Sequence, residues 1–200
     1  MNTPSASRAD PTPALSILVW DAPVRVFHWL MVLCFAGAWL SAESERWRLL
    51  HVTLGYTMAG LVAWRLVWGL MGTRHARFAA FVRGPATVLA YLRSLVQGRP
   101  EHHVGHNPAG ALAIVAMLGL TAVIGLTGWA TYNEIALPWP ASWSEELHEG
   151  AATLMLAVVG GHLLGVVLSS LVHHENLARA MLTGRKLGAA GDGIRRAWPV

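Results

Sequence analysis

Two hundred residues with a mass of 21.6 kDa carry 13% charged and 54% apolar side chains, for a mean hydropathy of +0.43. A soluble globular domain runs at about 25% charged, so this balance excludes a disordered chain, a nucleic-acid-binding domain of ordinary type and most cytosolic enzymes. The formal charge is +4, and the single cysteine, Cys34, excludes a disulfide framework, a cysteine-based zinc site and covalent C-x-x-C-H haem attachment. Ten tryptophans and ten histidines are the two excesses left to explain.

Residues 1–20 are rich in Pro, Ser and Ala, lack the basic n-region and cleavage site of a secretory signal, and read as a disordered leader. Four apolar stretches then follow, each long enough to cross a bilayer as a helix, which takes about 20 residues at 1.5 Å each. They run from about Ala22 to Ser41, Leu49 to Met71, Pro108 to Tyr132 and Glu146 to Val172. Asp21 with Pro23, and Asn107 with Pro108, are start signals for the first and third. Between the second and third, Gly84-Pro85 opens a segment with Val88, Leu89, Leu92, Leu95 and Val96 at helical spacing, which predicts a short amphipathic helix on the membrane surface. The expected fold is all-α: an integral membrane four-helix bundle over residues 21–176, with a basic tail over residues 177–200.

Lys and Arg set the orientation. The leader, the start of the first helix, the loop after the second and the tail hold twelve; the opposite side holds only Arg46 and Arg48. Both termini are therefore expected in the cytoplasm of a bacterial inner-membrane protein. Trp39, Trp47, Trp139 and Trp143 then fall at the outer interface and Trp20 and Trp68 at the inner one. The tryptophan excess is that of an aromatic belt.

Four histidines, His28, His51, His148 and His162, lie inside the apolar spans, where an ionisable ring points to function. His148 and His162 are fourteen residues apart, a rise of about 21 Å with the rings within about 40° of one face. His51 stands in the first turn of a helix that also descends, level with His148. His28 lies about 10 Å above its cytoplasmic cap, near the level of His162. Depth alone gives two pairs, His51 with His148 outside and His28 with His162 inside. Facing imidazoles across a bundle core are the axial ligands of a b-type haem, whereas zinc wants three or four ligands in one tetrahedron. Gly37, Gly55, Gly60, Gly160, Gly161 and Gly165 stand near them, and either close helix packing or room for a flat macrocycle accounts for them.

VRVFHW, RLLHVTLGY followed by AWRLVWGLMG, GHNPAG, LHEG with GGH further on, and HHENLARAMLTGRK resemble the bacterial family of cytochrome b-561 and nickel-iron hydrogenase cytochrome b subunits. The resemblance covers about residues 20 to 187 and all four histidines in order. It implies a four-helix bundle with two haems b, ligated from the first, second and fourth helices, the fourth supplying two ligands. The more distant formate dehydrogenase cytochrome b subunit has an N-x-G-like turn near quinone at the start of its third helix, which Asn107 and Gly110 match loosely.

Other polar residues have two readings each. Arg65, near the inner haem level, pairs with a haem propionate or snorkels to the headgroups, and Arg25, one turn before His28, has the same choice. His106, Asn107, His173 and His174 are either solvated helix ends or a quinone proton-exchange site, with His106 and Asn107 as the quinone's hydrogen-bond partners. His75, His102 and His103 read as solvated, and Arg46, Arg48, Glu43 and Glu45 as a solvated loop or a docking face. The expected function is electron transfer across the membrane between the quinone pool and a periplasmic redox protein or catalytic subunit, by a chain embedded in lipid as a monomer or a homodimer. A stand-alone oxidoreductase acting on a small periplasmic species such as superoxide, and a histidine-lined metal transporter, are the alternatives.

Overall fold

The computed structural model describes residues 15–99, 101, 103–135 and 137–198. The reading of a disordered leader falls, for residues 1–14, outside the described residues, as does that of His102. Over the rest the chain forms strand β1 (Leu15–Leu18), helices α1 (Ala22–Ser41), α2 (Arg48–Met71), α3 (Phe78–Phe81), α4 (Pro85–Val96), α5 (Pro108–Tyr132), α6 (Ala141–Val172) and α7 (Leu177–Thr183), and strand β2 (Arg185–Gly188).

Two of the long helices begin where a capping side chain takes up an orphan backbone donor. Asp21 Oδ1 accepts from the Val24 amide at 2.8 Å, with Pro23 in the first turn of α1. Asn107 Oδ1 accepts from the Gly110 amide at 2.7 Å, with Pro108 opening α5. α6 starts at Ala141, earlier than its apolar run, because Glu145 and Glu146 are exposed and cost a helix nothing in water. Its 32 residues span about 48 Å, more than the ~30 Å of a bilayer's hydrocarbon core. α1, α5 and α6 are each long and apolar enough to cross a membrane. α2 is 24 residues long but less apolar, since His51 and Arg65 interrupt it.

The long helices pack in series, α1 on α2, α2 on α5 and α5 on α6. No comparably close backbone interface joins α6 to α1 or α2 among the described residues. The bundle is therefore open along one seam, and the four histidines lie on the helices bordering it. Gly37 is where α1 and α2 touch: a Cβ there would lie 2.8 Å from Leu54 Cδ1. Gly55, Gly60, Gly160, Gly161 and Gly165 face open space.

The two ends differ in construction. At the arginine-rich end residues 15–20, read as part of a disordered leader, are ordered, and the basic tail folds onto them. β1 pairs antiparallel with β2, Leu15 opposite Gly188 and Leu18 opposite Arg185. Val19 and Trp20 both donate backbone N–H to Gly184 O, at 2.8 and 3.0 Å, and Ile194 donates to Leu18 O at 2.7 Å. Gly184 caps α7 at φ 80°, and a Cβ there would meet Trp20 O at 2.6 Å, so the turn admits only glycine. Ile17, Val19, Trp20 and Ala180 bury their side chains together, joined by Val104 and Met181. The driving force is burial of apolar surface, and the result is a clasp joining the two ends of the described chain. Lys186, one of the tail's basic residues, is buried within it, 3.2 Å from Glu175 and donating to His103 O at 3.1 Å.

Candidate functional site

His51 and His148 meet near the acidic end of the bundle, their ring centroids 6.0 Å apart and the planes inclined at 66°. Each ring is held from behind by a different helix. His51 Nδ1 lies 2.9 Å from Ala38 O on α1, and His148 Nδ1 lies 3.0 Å from Ile124 O on α5. A carbonyl only accepts, so each Nδ1 carries the proton and each Nε2 keeps its lone pair. Backbone contact of this kind fixes the tautomer and orientation of a metal-binding imidazole. Gly128 on α5 makes the seat for His148, since a Cβ there would fall 2.8 Å from its Cε1 and 2.9 Å from its Nδ1. Gly128 is a site residue the sequence reading missed: a glycine in an apolar helix carries no mark of what passes over it.

His28 and His162 lie nearer the arginine-rich end, within electrostatic reach of each other. His28 Nδ1 is buried without a hydrogen-bond partner, and its ring stands edge-on to Trp29 at 5.1 Å. Arg65 is 3% exposed. Its Nη2 donates to Ala76 O at 2.9 Å and its guanidinium lies 4.8 Å over the Phe78 ring, while Nη1 is buried with no partner. The nearby carboxylate, Asp21, is 1% exposed and already committed: besides capping α1 it accepts from Trp68 Nε1 at 3.1 Å and Thr73 Oγ1 at 2.6 Å. Arg65 therefore keeps an unmatched buried donor, and both it and His162 lie within electrostatic reach of His106.

Arg25 goes elsewhere. Its Nη1 donates to Leu182 O at 2.6 Å, near the C-terminal end of α7, where unpaired carbonyls favour a cation. It ties α1 to the clasp. Asn107 spends its carboxamide oxygen on the α5 cap, so only its amide nitrogen is left for a ligand. His106, just before it, is clamped between Trp20 and Phe81, with centroids at 4.4 and 4.5 Å. Its Nδ1 is buried and unpartnered, and burial, with Arg65 close by, pushes its pKa down to about 3. His75, read as solvated, is half-buried, its Nε2 2.7 Å from Asp192 O. His174 takes a left-handed φ of 50° just past the end of α6.

Among the described residues no three His, Cys, Asp or Glu side chains converge as a metal cage would need. The donor set is instead two imidazole pairs at different depths. Two rings each bonded at about 2 Å to one ion would place their centroids on the order of 6 Å apart, which matches the His51–His148 spacing. With the orphaned Nη1 of Arg65 and the open seam between α6 and α1–α2, the residues present would fit haem, with imidazoles to hold it and a cation to meet its carboxylates.

The family model for prokaryotic cytochrome b561 matches residues 19–184. The probable Ni/Fe-hydrogenase 1 B-type cytochrome subunit of Escherichia coli (strain K12) is 24% identical, over 85% of this chain and 90% of its own length. A probable Ni/Fe-hydrogenase B-type cytochrome subunit of Cupriavidus necator is 28% identical over 84% and 81%, and that of Rhizobium leguminosarum bv. viciae 23% over 86% and 89%. No solved structure matches the chain. With the histidines carried on long apolar helices and the match spanning both, the chain belongs to the prokaryotic cytochrome b561 family and is a membrane-embedded electron-transfer protein that carries haem b.

Proposed function

We propose that α1, α2, α5 and α6 form a transmembrane four-helix bundle holding two haems b, and that the chain moves electrons between quinone and a periplasmic catalytic subunit. His51 and His148 ligate the haem near the acidic, periplasmic end; His28 and His162 ligate the one near the arginine-rich, cytoplasmic end. The facing imidazoles of His51 and His148, each with its Nδ1 proton tied to a main-chain carbonyl, carry this reading. When bound, haem supplies a one-electron ferric–ferrous couple. The chain orients the imidazoles of His51 and His148, and the unpartnered Nη1 of Arg65 supports a role in meeting a haem propionate. The relatives are named as hydrogenase subunits, which favours a catalytic subunit as the partner over a small periplasmic substrate.

The quinone belongs beside the cytoplasmic-end haem, against His106 and Asn107, because a quinone changing redox state exchanges protons and needs polar groups at a wet edge. A pyridine haemochrome assay against protein concentration tests the haem count: two haems per chain, extractable with acid acetone, are expected, and one per chain contradicts the reading. Asn107→Ser tests the quinone site without removing the helix cap. Reduction by a quinol analogue should slow with both haem spectra unchanged; a normal rate moves the quinone elsewhere.

A further inference from the structure

A cavity of about 230 Å³ opens at the arginine-rich end, between α3, the start of α4 and the N-terminus of α5. Arg74, His75, Arg83, His103 and His106 supply its ionisable lining, and among the described residues no carboxylate does. Arg74 and Arg83 are exposed and pinned. Arg74 Nη1 donates to Gly191 O at 3.2 Å and Arg83 Nη2 to Ala80 O at 3.0 Å. A guanidinium has five N–H donors, so each arginine is fixed in place with most of its donors left over. Fixing removes much of the entropy that a loose side chain loses on binding. The walls add the Thr87 side chain and the first residue of α5, Pro108, where the helix carries its partial positive charge. The lining includes His106, wedged between two aromatic rings with its Nδ1 buried and unpartnered.

Two forked cations, imidazoles, a hydroxyl and a helix N-terminus with no acidic side chain among them suit a compact oxyanion with several acceptor oxygens. The setting narrows the class. α4, which forms part of the rim, exposes Leu89, Leu92 and Val96 at helical spacing, and an amphipathic helix of that kind lies at the depth of lipid headgroups. The geometry points to a phosphate-binding site at this cavity, with Arg74 and Arg83 gripping the phosphate of an anionic phospholipid headgroup or a free phosphate ion. The site needs the two arginines, whereas the quinone reading needs His106 and Asn107, so the two stand or fall separately.

The test uses the full-length, haem-loaded chain, stripped of lipid in detergent and titrated with phosphatidylglycerol or with inorganic phosphate, with binding read by native mass spectrometry and thermal shift. One tightly held phosphatidylglycerol per chain that millimolar phosphate does not displace makes the ligand a lipid headgroup. Saturable binding of inorganic phosphate alone makes it the free ion. Arg74→Gln with Arg83→Gln should weaken binding about tenfold or more while haem spectra and quinol reduction stay as in the parent. Arg93→Gln, exposed on α4 and outside the cavity, should bind as the parent does. If the double variant loses haem, Arg83→Gln alone decides, because its one bond is to a carbonyl three residues away. Saturable binding of neither probe, or equal binding by the arginine variants, overturns the proposal.

Discussion

The two histidine pairs are held by different means. His51 and His148 face each other with both Nδ1 protons on main-chain carbonyls, Ala38 O and Ile124 O, which are neutral dipoles contributed by the helices between them. His28 has a buried Nδ1 with no such partner, and the cation at this end is Arg65, which shares with His162 the neighbourhood of a neutral His106. One end is oriented by backbone; the other is set in a field. A cation beside a haem favours the reduced state, so the arginine-rich end is expected to have the higher potential. Geometry is the exposed quantity at one end and potential at the other.

The largest effect should come from overfilling the backbone-built seat. Gly128→Val puts a branched side chain where even a Cβ lies 2.8 Å from His148 Cε1, and the ring must leave Ile124 O. Haem content should fall from two per chain to one, measured by pyridine haemochrome. Gly119→Ala, which meets nothing within 4 Å on the same helix, should keep both.

Removing the field should act only at the other end. Arg65→Gln is expected to lower one of two midpoint potentials in a redox titration, by on the order of 40 mV for each kcal/mol of lost electrostatic stabilisation, and to leave the other in place. If both potentials move together, Arg65 is not local to one haem.

Asp21→Ala tests what supports Arg65 and the clasp. It removes the α1 cap and the bonds from Trp68 and Thr73, at a cost of about 2 kcal/mol, read as a lower thermal midpoint. Asn107→Ala, which removes a cap and no other side-chain bond, should cost about 1 kcal/mol.

The smallest effect is on pH dependence. The pKa of His106, about 3 in the folded chain, lies below the ordinary value near 6.5 that it regains on unfolding. Between those values the unfolded state binds the extra proton, so stability falls as pH drops through the window and is fully present above it. His106→Phe should flatten the thermal midpoint between pH 5 and pH 7 by roughly the share of one proton. An unchanged slope would show that His106 is not buried neutral.

How much was legible in the sequence depended on how local the cause was. α1 and α5 match their expected bounds to the residue because each start is written within four positions, Asp21 with Pro23 and Asn107 with Pro108. α6 was cut short because Glu145 and Glu146 stand in its second turn, and hydropathy measures lipid contact, not helicity. The spacing of His148 and His162 along one helix was legible through the fixed rise and pitch. The clasp was not: Leu15–Leu18 and Arg185–Gly188 are four-residue strands about 170 positions apart, and neither carries a local sign of the other. For the same reason the bond from Arg25 to Leu182 O on α7 was not foreseen, and His75 was placed in water when it serves Asp192. Gly128 escaped because its function belongs to a side chain on another helix.

The pairing of histidines by depth is tested most directly by redox titration of four single variants, His28→Ala, His51→Ala, His148→Ala and His162→Ala, each scored for which haem survives. Two classes are expected: His51 and His148 variants keep only the higher-potential haem, while His28 and His162 variants keep only the lower. A His28 variant that loses the same haem as the His148 variant would contradict the pairing.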